Sequence, residues 1–169
     1  MTDVIHRSNG NARAAGADAP AYELIELLFF AYRDFVQEAD GILIRYGFGR
    51  AHHRVLHFVS RNPDLKVAEL LSILKITKQS LGRVLRDLVD QGFVEAQEGE
   101  TDRRQRLLRV TARGEKLARE LAVLQSQRIN DALATAGPNA HAMAADFLSA
   151  MIDAGERDAV QALIAKGRP

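Results

Sequence analysis

The chain has 169 residues, 47% of them hydrophobic and 27% charged, with a net charge of +1; this suits one domain with a sizeable core, and the overall charge announces no nucleic-acid partner. With no cysteine, disulfides, thiolate zinc centres, iron–sulfur clusters and thiol redox sensing are excluded. No apolar run approaches the roughly 20 residues that span a bilayer, and the N-terminus lacks the apolar stretch of a secretory signal, so no membrane partner and a reducing, cytoplasmic setting are expected.

Residues 1–20 are rich in Asn, Gly, Asp and Ala without apolar periodicity, and read as a flexible tail. From Tyr22 the residues Leu24, Leu28, Tyr32, Phe35, Ala39 and Ile42 recur at three- and four-residue steps, with Ile25, Phe29, Val36 and Leu43 widening the stripe. That pattern predicts one long helix ending near Tyr46-Gly47. Its apolar arc is too wide for a single neighbour, which points to a partner chain. Gly49–Ser60 reads as a second helix, Arg61-Asn62-Pro63-Asp64 as a turn, and Val67–Leu74 as a short helix. After a turn at Lys75-Ile76, Thr77 is placed to cap a helix from Lys78 to about Gln91 with Leu81, Val84, Leu85 and Leu88 inward. Gly92 ends it.

The period then changes. Phe93–Gln97 and Arg106–Val110 read as two strands joined by a charged turn. Thr111 caps another long helix running to about Thr135, Gly137-Pro138 breaks it, and a last helical segment is expected to turn Met143, Phe147, Met151 and Ile152 inward, with a break near Gly155.

Helix, short helix, tight turn, capped helix and basic ribbon make a winged helix-turn-helix in a mostly α protein. A helix can enter the major groove and read bases from its N-terminal half, and a basic hairpin can reach a narrow minor groove. Charge follows this layout: residues 45–109 hold 13 Lys and Arg against 8 Asp and Glu, so the basic surplus sits in the middle of the chain. Lys78, Gln79, Ser80 and Arg83 crowd the first turns of the capped helix away from its apolar stripe. Gln79 suits adenine and Arg83 guanine; Thr77, Lys78, Ser80 and, one turn on, Arg86 suit phosphates. Arg103, Arg104 and Arg106 lie in the ribbon. A winged helix used only for protein contact would be expected to carry a neutral or acidic helix here.

The stretch VLRDLVDQGFVEAQEGETDRRQRLLRVTARGEKL, residues 84–117, resembles the MarR transcriptional regulators. The matching features are Leu88 followed by Gly92-Phe93-Val94, then Asp102-Arg103-Arg104, then Val110-Thr111-Ala112-Arg113-Gly114. RVLHFVSRNPDLKVAELLSILKIT, residues 54–77, matches in spacing. Phe93 stands where Leu is usual, and Lys66 where the short helix often has a Ser or Thr cap. The resemblance implies a homodimer on double-stranded DNA, with residues 21–47 and 112–169 as dimerisation helices and 48–111 as the DNA-binding domain. It implies that Arg104 is the wing-tip arginine entering the minor groove and that Asp102 holds it by a salt bridge.

His53 and His57 are four apart on the second helix, a spacing that suits a metal, but no Asp or Glu lies between Asp40 and Asp64 to complete a local set; no metal or other cofactor is expected. In proteins of this resemblance the start of that helix lies beneath the dimerisation helices. Arg45, Tyr46, His52 and His53 are therefore candidate donors to a small anionic or phenolic effector. No phosphate-binding glycine loop, cysteine nucleophile or acid–base pair points to an enzyme.

Overall fold

The structure, a computed structural model, describes residues 19–98 and 105–167. The chain divides within its first helix into two compact units, residues 1–34 and 35–169. The helix itself, α1, runs Tyr22–Leu43 and closes in a 3-10 turn, Ile44–Tyr46, that stops at Gly47 with φ of +70°. In the first unit α1 leaves Tyr22, Leu24, Leu28, Phe29, Phe30 and Tyr32 exposed, Phe29 at 68%. There the Arg33 guanidinium stands 5.0 Å from the Phe30 ring centre and 2.7 Å from Asp34.

The second unit begins with the rest of α1, which buries Val36, Ala39 and Leu43. Helix α2 (Arg50–Arg61) buries Val55, Leu56 and Val59; α3 (Val67–Leu74) buries Leu70 and Leu74; α4 (Lys78–Asp90) buries Leu81, Val84 and Leu88. These side chains and Phe93, Leu108, Leu117 and Leu121 form one core. Each helix presents its apolar stripe to it, which is the amphipathic pattern at work.

The strands form a three-stranded antiparallel sheet in the order β1-β3-β2. Strands β2 (Val94–Glu98) and β3 (Arg106–Val110) pair from Val94↔Val110 to Glu98↔Arg106, and β1 (Leu65–Lys66) pairs Leu65 with Leu108. Sequence reading predicts only two of these strands. A two-residue strand shows no alternation, so β1 has no periodic signal to find.

Helix α5 (Ala112–Ala136) follows β3 directly, then α6 (Ala140–Met151) and α7 (Arg157–Lys166). Arg157 sets the corner between the last two by donating to the Ala150 and Ile152 carbonyls at 2.7 and 3.0 Å. The expectation that Met143, Phe147 and Met151 turn inward is corrected: all three are exposed in this chain, Met143 at 69%, and only Ile152 is half-buried. The spacing is helical, but a stripe does not say whose core it joins.

The junction between β2 and α5 is unusually close. The backbone at Gly114 lies so near the Phe93 carbonyl that a Cβ there would sit 1.9 Å from its oxygen. Gly114→Ala is expected to destabilise the fold by about 3 kcal/mol, since backbone has no rotamer with which to yield. Gly82, mid-helix in α4 with nothing within 4 Å of its Cβ position, gives the opposite sign. Gly82→Ala is expected to stabilise by about 0.5–1 kcal/mol. Urea unfolding midpoints of the two variants check both.

Candidate nucleic-acid interface

The turn before α4 is built by polar groups. Lys75 ends α3 in the left-handed region at φ of +51°, and its N–H donates to the Leu71 carbonyl at 2.9 Å. Arg54 of α2 donates to the Leu74 carbonyl at 3.1 Å. The first closes the last regular helical bond, and the second satisfies a carbonyl that the helix end leaves without a partner. At the other end of α3, Glu69 accepts the Lys66 N–H at 2.8 Å. That contact is the glutamate half of a capping box; the lysine side chain, which has no acceptor, cannot supply the other half.

Helix α4 starts as its sequence demands. The Thr77 hydroxyl accepts the Ser80 N–H at 3.1 Å and donates to the Ser80 hydroxyl at 2.8 Å. The two groups named as phosphate ligands are thus already paired with one another in the free protein. Lys78, Gln79, Arg83 and Arg86 are all exposed, and the helix has no acid in its first turn. Among the described residues, Lys78, Arg83 and Arg86 enter no ion pair. Lys78 at the helix N-terminus, with Arg83 and Arg86 further along the exposed face, makes a surface suited to a polyanion.

The ribbon is braced from its base. Arg109 in β3 grips Asp64 with both guanidinium arms, at 2.5 and 2.7 Å, and this pairing raises its pKa. Asp64 also donates its N–H to the Leu108 carbonyl at 3.0 Å, from a left-handed φ of +66°. Asp102, Arg103 and Arg104 lie outside the described residues; Arg106, at the last β2–β3 pair, is exposed.

The residues suggested for an effector divide. Arg45 is exposed, with its guanidinium 3.5 Å from Glu120. Tyr46 is half-buried and meets Phe93 edge-on at 5.3 Å. His52 stacks on Phe48 at 4.7 Å, accepts the Gly49 N–H at Nδ1 and faces Asp87 of α4 from Nε2. His53 and His57 both have lowered pKa values. Burial is the main cause; for His53, His57 adds to it against Asp40, and for His57, Arg61 adds to it. Among the described residues no group of three potential metal ligands occurs.

Sequence reading missed Asp87 and Arg113. Asp87 carries no local signal, because its partner is 35 residues away. Arg113 covers the Phe93 ring at 4.3 Å and donates to the Gln91 carbonyl at 2.8 Å. It belongs to the stretch that carries the resemblance, but its two contacts exist only once α5 has docked.

The MarR family model matches residues 46–105, from the end of the 3-10 turn to the residue before β3. The HTH-type transcriptional regulator PetP of Rhodobacter capsulatus is 48% identical over 139 residues, covering 82% of this chain and 84% of PetP. Among solved structures, FabT of Streptococcus pneumoniae in complex with DNA superposes with a TM-score of 0.68 at 16% identity, covering 78% of this chain and 94% of that one. NadR in complex with 4-hydroxyphenylacetate gives 0.65 at 22% identity, covering 81% and 97%. With its capped, basic α4, its braced ribbon and this likeness over four-fifths of its length, the chain belongs to the MarR family of winged helix-turn-helix, DNA-binding transcriptional regulators.

Proposed function

We propose that the chain acts in the cytoplasm as a two-fold homodimer on a pseudo-palindromic operator. Each subunit would place α4 in the major groove, the two copies about 10 base pairs apart. The observation that carries the reading is the set of uncommitted cations on α4, Lys78, Arg83 and Arg86, exposed beside a braced ribbon. Gln79 and Arg83 read bases. Thr77, Lys78, Ser80 and Arg86 hold phosphates, with Thr77 and Ser80 exchanging their mutual hydrogen bond for the DNA. Arg103 and Arg104 take the wing to the backbone and the minor groove, with Asp102 orienting Arg104. FabT, solved with DNA, supports this use of the fold.

Residues 48–111 form the DNA-binding domain, and residues 21–47 and 112–169 supply the dimer contacts. Support comes from the large apolar side chains exposed on α1 in the first unit and, in the second, from Met143, Phe147, Leu148 and Met151 on α6. Such patches on a soluble chain usually mark an interface.

A small anionic or phenolic effector modulates the dimer. NadR, solved with 4-hydroxyphenylacetate, supports that class. In the second unit an open groove of about 540 Å3 is lined by Ile42, Lys116, Arg119, Glu120, Val123 and Leu124, with Arg45 bonded to Glu120 at its edge. Lys116 and Arg119 in its lining and Arg45 at its edge are donors for such a ligand, with Tyr46 and His53 as further candidates. A ligand that recruited His52 would first have to break its bonds to Gly49 and Asp87.

Three measurements test the reading. Sedimentation is expected to find only dimers at micromolar concentration, consistent with an interface above about 2,000 Å2; a stable folded monomer would refute it. Arg83→Ala is expected to cost about 1–3 kcal/mol per half-site and to relax one base preference in a duplex selected from a random pool, whereas Lys78→Ala weakens all duplexes evenly and lowers the salt slope by about 1. Asp102→Ala is expected to weaken operator binding although it removes a negative charge near DNA. The double variant with Arg104→Ala should match Arg104→Ala alone, because the two act as one unit. An anisotropy cycle on these proteins at fixed salt decides between that outcome and a plain surface acid.

A further inference from the structure

We propose that His52 is a positioning residue for DNA recognition: it pins the rotation of α4 about its own axis by a directed hydrogen bond to Asp87. This rests on α4 being the groove-reading helix. The His52 side chain is only 13% exposed, stacked on Phe48 at 4.7 Å with planes 12° apart. Its Nδ1 accepts the Gly49 N–H at 3.1 Å, so in the neutral ring the proton lies on Nε2. That proton points to Asp87 Oδ2 at 3.2 Å. A ring held on its face and at one nitrogen can aim the other nitrogen in one direction only.

Packing of Leu81, Val84 and Leu88 seats the buried face of α4 in the core, and the Gly92–Phe93 turn fixes its far end; the His52–Asp87 bond adds a directed constraint between α2 and α4. Side-chain tips lie about 5–6 Å from a helix axis, so a roll of about 15° moves a reading side chain by roughly 1.5 Å. Recognition tolerates nearer 0.5 Å. Asp87 is also one helical turn beyond Arg83 on the same face. A freed Asp87 could fold back on Arg83, but such a pair is worth only about 0.2–0.5 kcal/mol, less than a factor of three, so loss of the pin is the larger effect.

The test uses the full chain and a duplex selected from a random pool, with an unrelated duplex beside it. His52→Gln keeps an acceptor for the Gly49 N–H but loses the aimed ring, and Asp87→Ala removes the other partner. Each is expected to weaken the selected duplex about five- to tenfold and the unrelated duplex less than about twofold, with no change in melting temperature for Asp87→Ala. The double variant should match either single one. Asp87→Asn keeps an oxygen for Nε2–H and is expected to restore selective binding. Asp87 is half exposed, so its variants carry the test even if His52→Gln fails to fold. Unchanged or tighter binding of the selected duplex by Asp87→Ala, equal losses on both duplexes, or additive losses would overturn the proposal. If Arg83→Ala also left the selected duplex unaffected, the assignment of α4 would fall, and the pin with it.

Discussion

The close approach of Gly114 to the Phe93 carbonyl is the constraint on which the rest of the second unit depends. Three segments meet there: the end of α4, the start of β2 and the first turn of α5. Thr111 donates its N–H to the Phe93 carbonyl at 3.0 Å and its hydroxyl to the Gly92 carbonyl at 2.7 Å, while the same hydroxyl accepts the Gly114 N–H at 3.1 Å. The capping residue of α5 therefore also satisfies the exit of α4. Gly92 allows the sharp turn through its φ of +72°, and Gly114 allows the approach because it has no Cβ. Reading helix, wing and long helix are thereby fixed to one another at a single corner.

Around that corner the packing is aromatic. Phe93 is fully buried between Tyr46 and Phe48, both edge-on to it, and Arg113 closes the remaining face. Aromatic rings bury large areas with few rotatable bonds, so this cluster joins the 3-10 turn after α1 to the base of the wing with little slack. A Leu in place of Phe93 would preserve burial but would offer Arg113 no π-face. The same cluster carries His52, through its stack on Phe48. The polar arrangement between α2 and α4 thus rests on an apolar foundation.

Elsewhere polar contacts orient more than they stabilise. Arg109 with Asp64, Arg50 with Asp40, Arg128 with Glu38 and Lys75 with Glu156 are all substantially exposed pairs, and exposed pairs contribute about 0–1 kcal/mol each. Their geometry is nonetheless specific. The two-armed grip of Arg109 ties β3 to the turn after α2. Stability comes from the leucine-rich core, whereas direction comes from a few charged and capping groups.

Most of the architecture is legible along the chain because its determinants are local. Helical spacing of Leu81, Val84 and Leu88, the Thr77 and Thr111 caps, Gly92 after α4 and the change of period at residues 93–97 each act within a few residues of one another. The face of α4 that carries Lys78, Gln79, Arg83 and Arg86 follows from the same spacing. What lies beyond this reach depends on distant partners. Strand β1 is two residues long and exists only by pairing with β3. Asp87 gains its meaning from a histidine on another helix, and Gly114 from a carbonyl on a neighbouring turn. The exposure of Met143, Phe147 and Met151 was equally hidden, because periodicity reports that a helix has an apolar face and not what covers it. Local propensity and capping are written in neighbouring residues; close approach, hydrogen-bond aim and the choice between core and surface are decided only when segments far apart in sequence pack together.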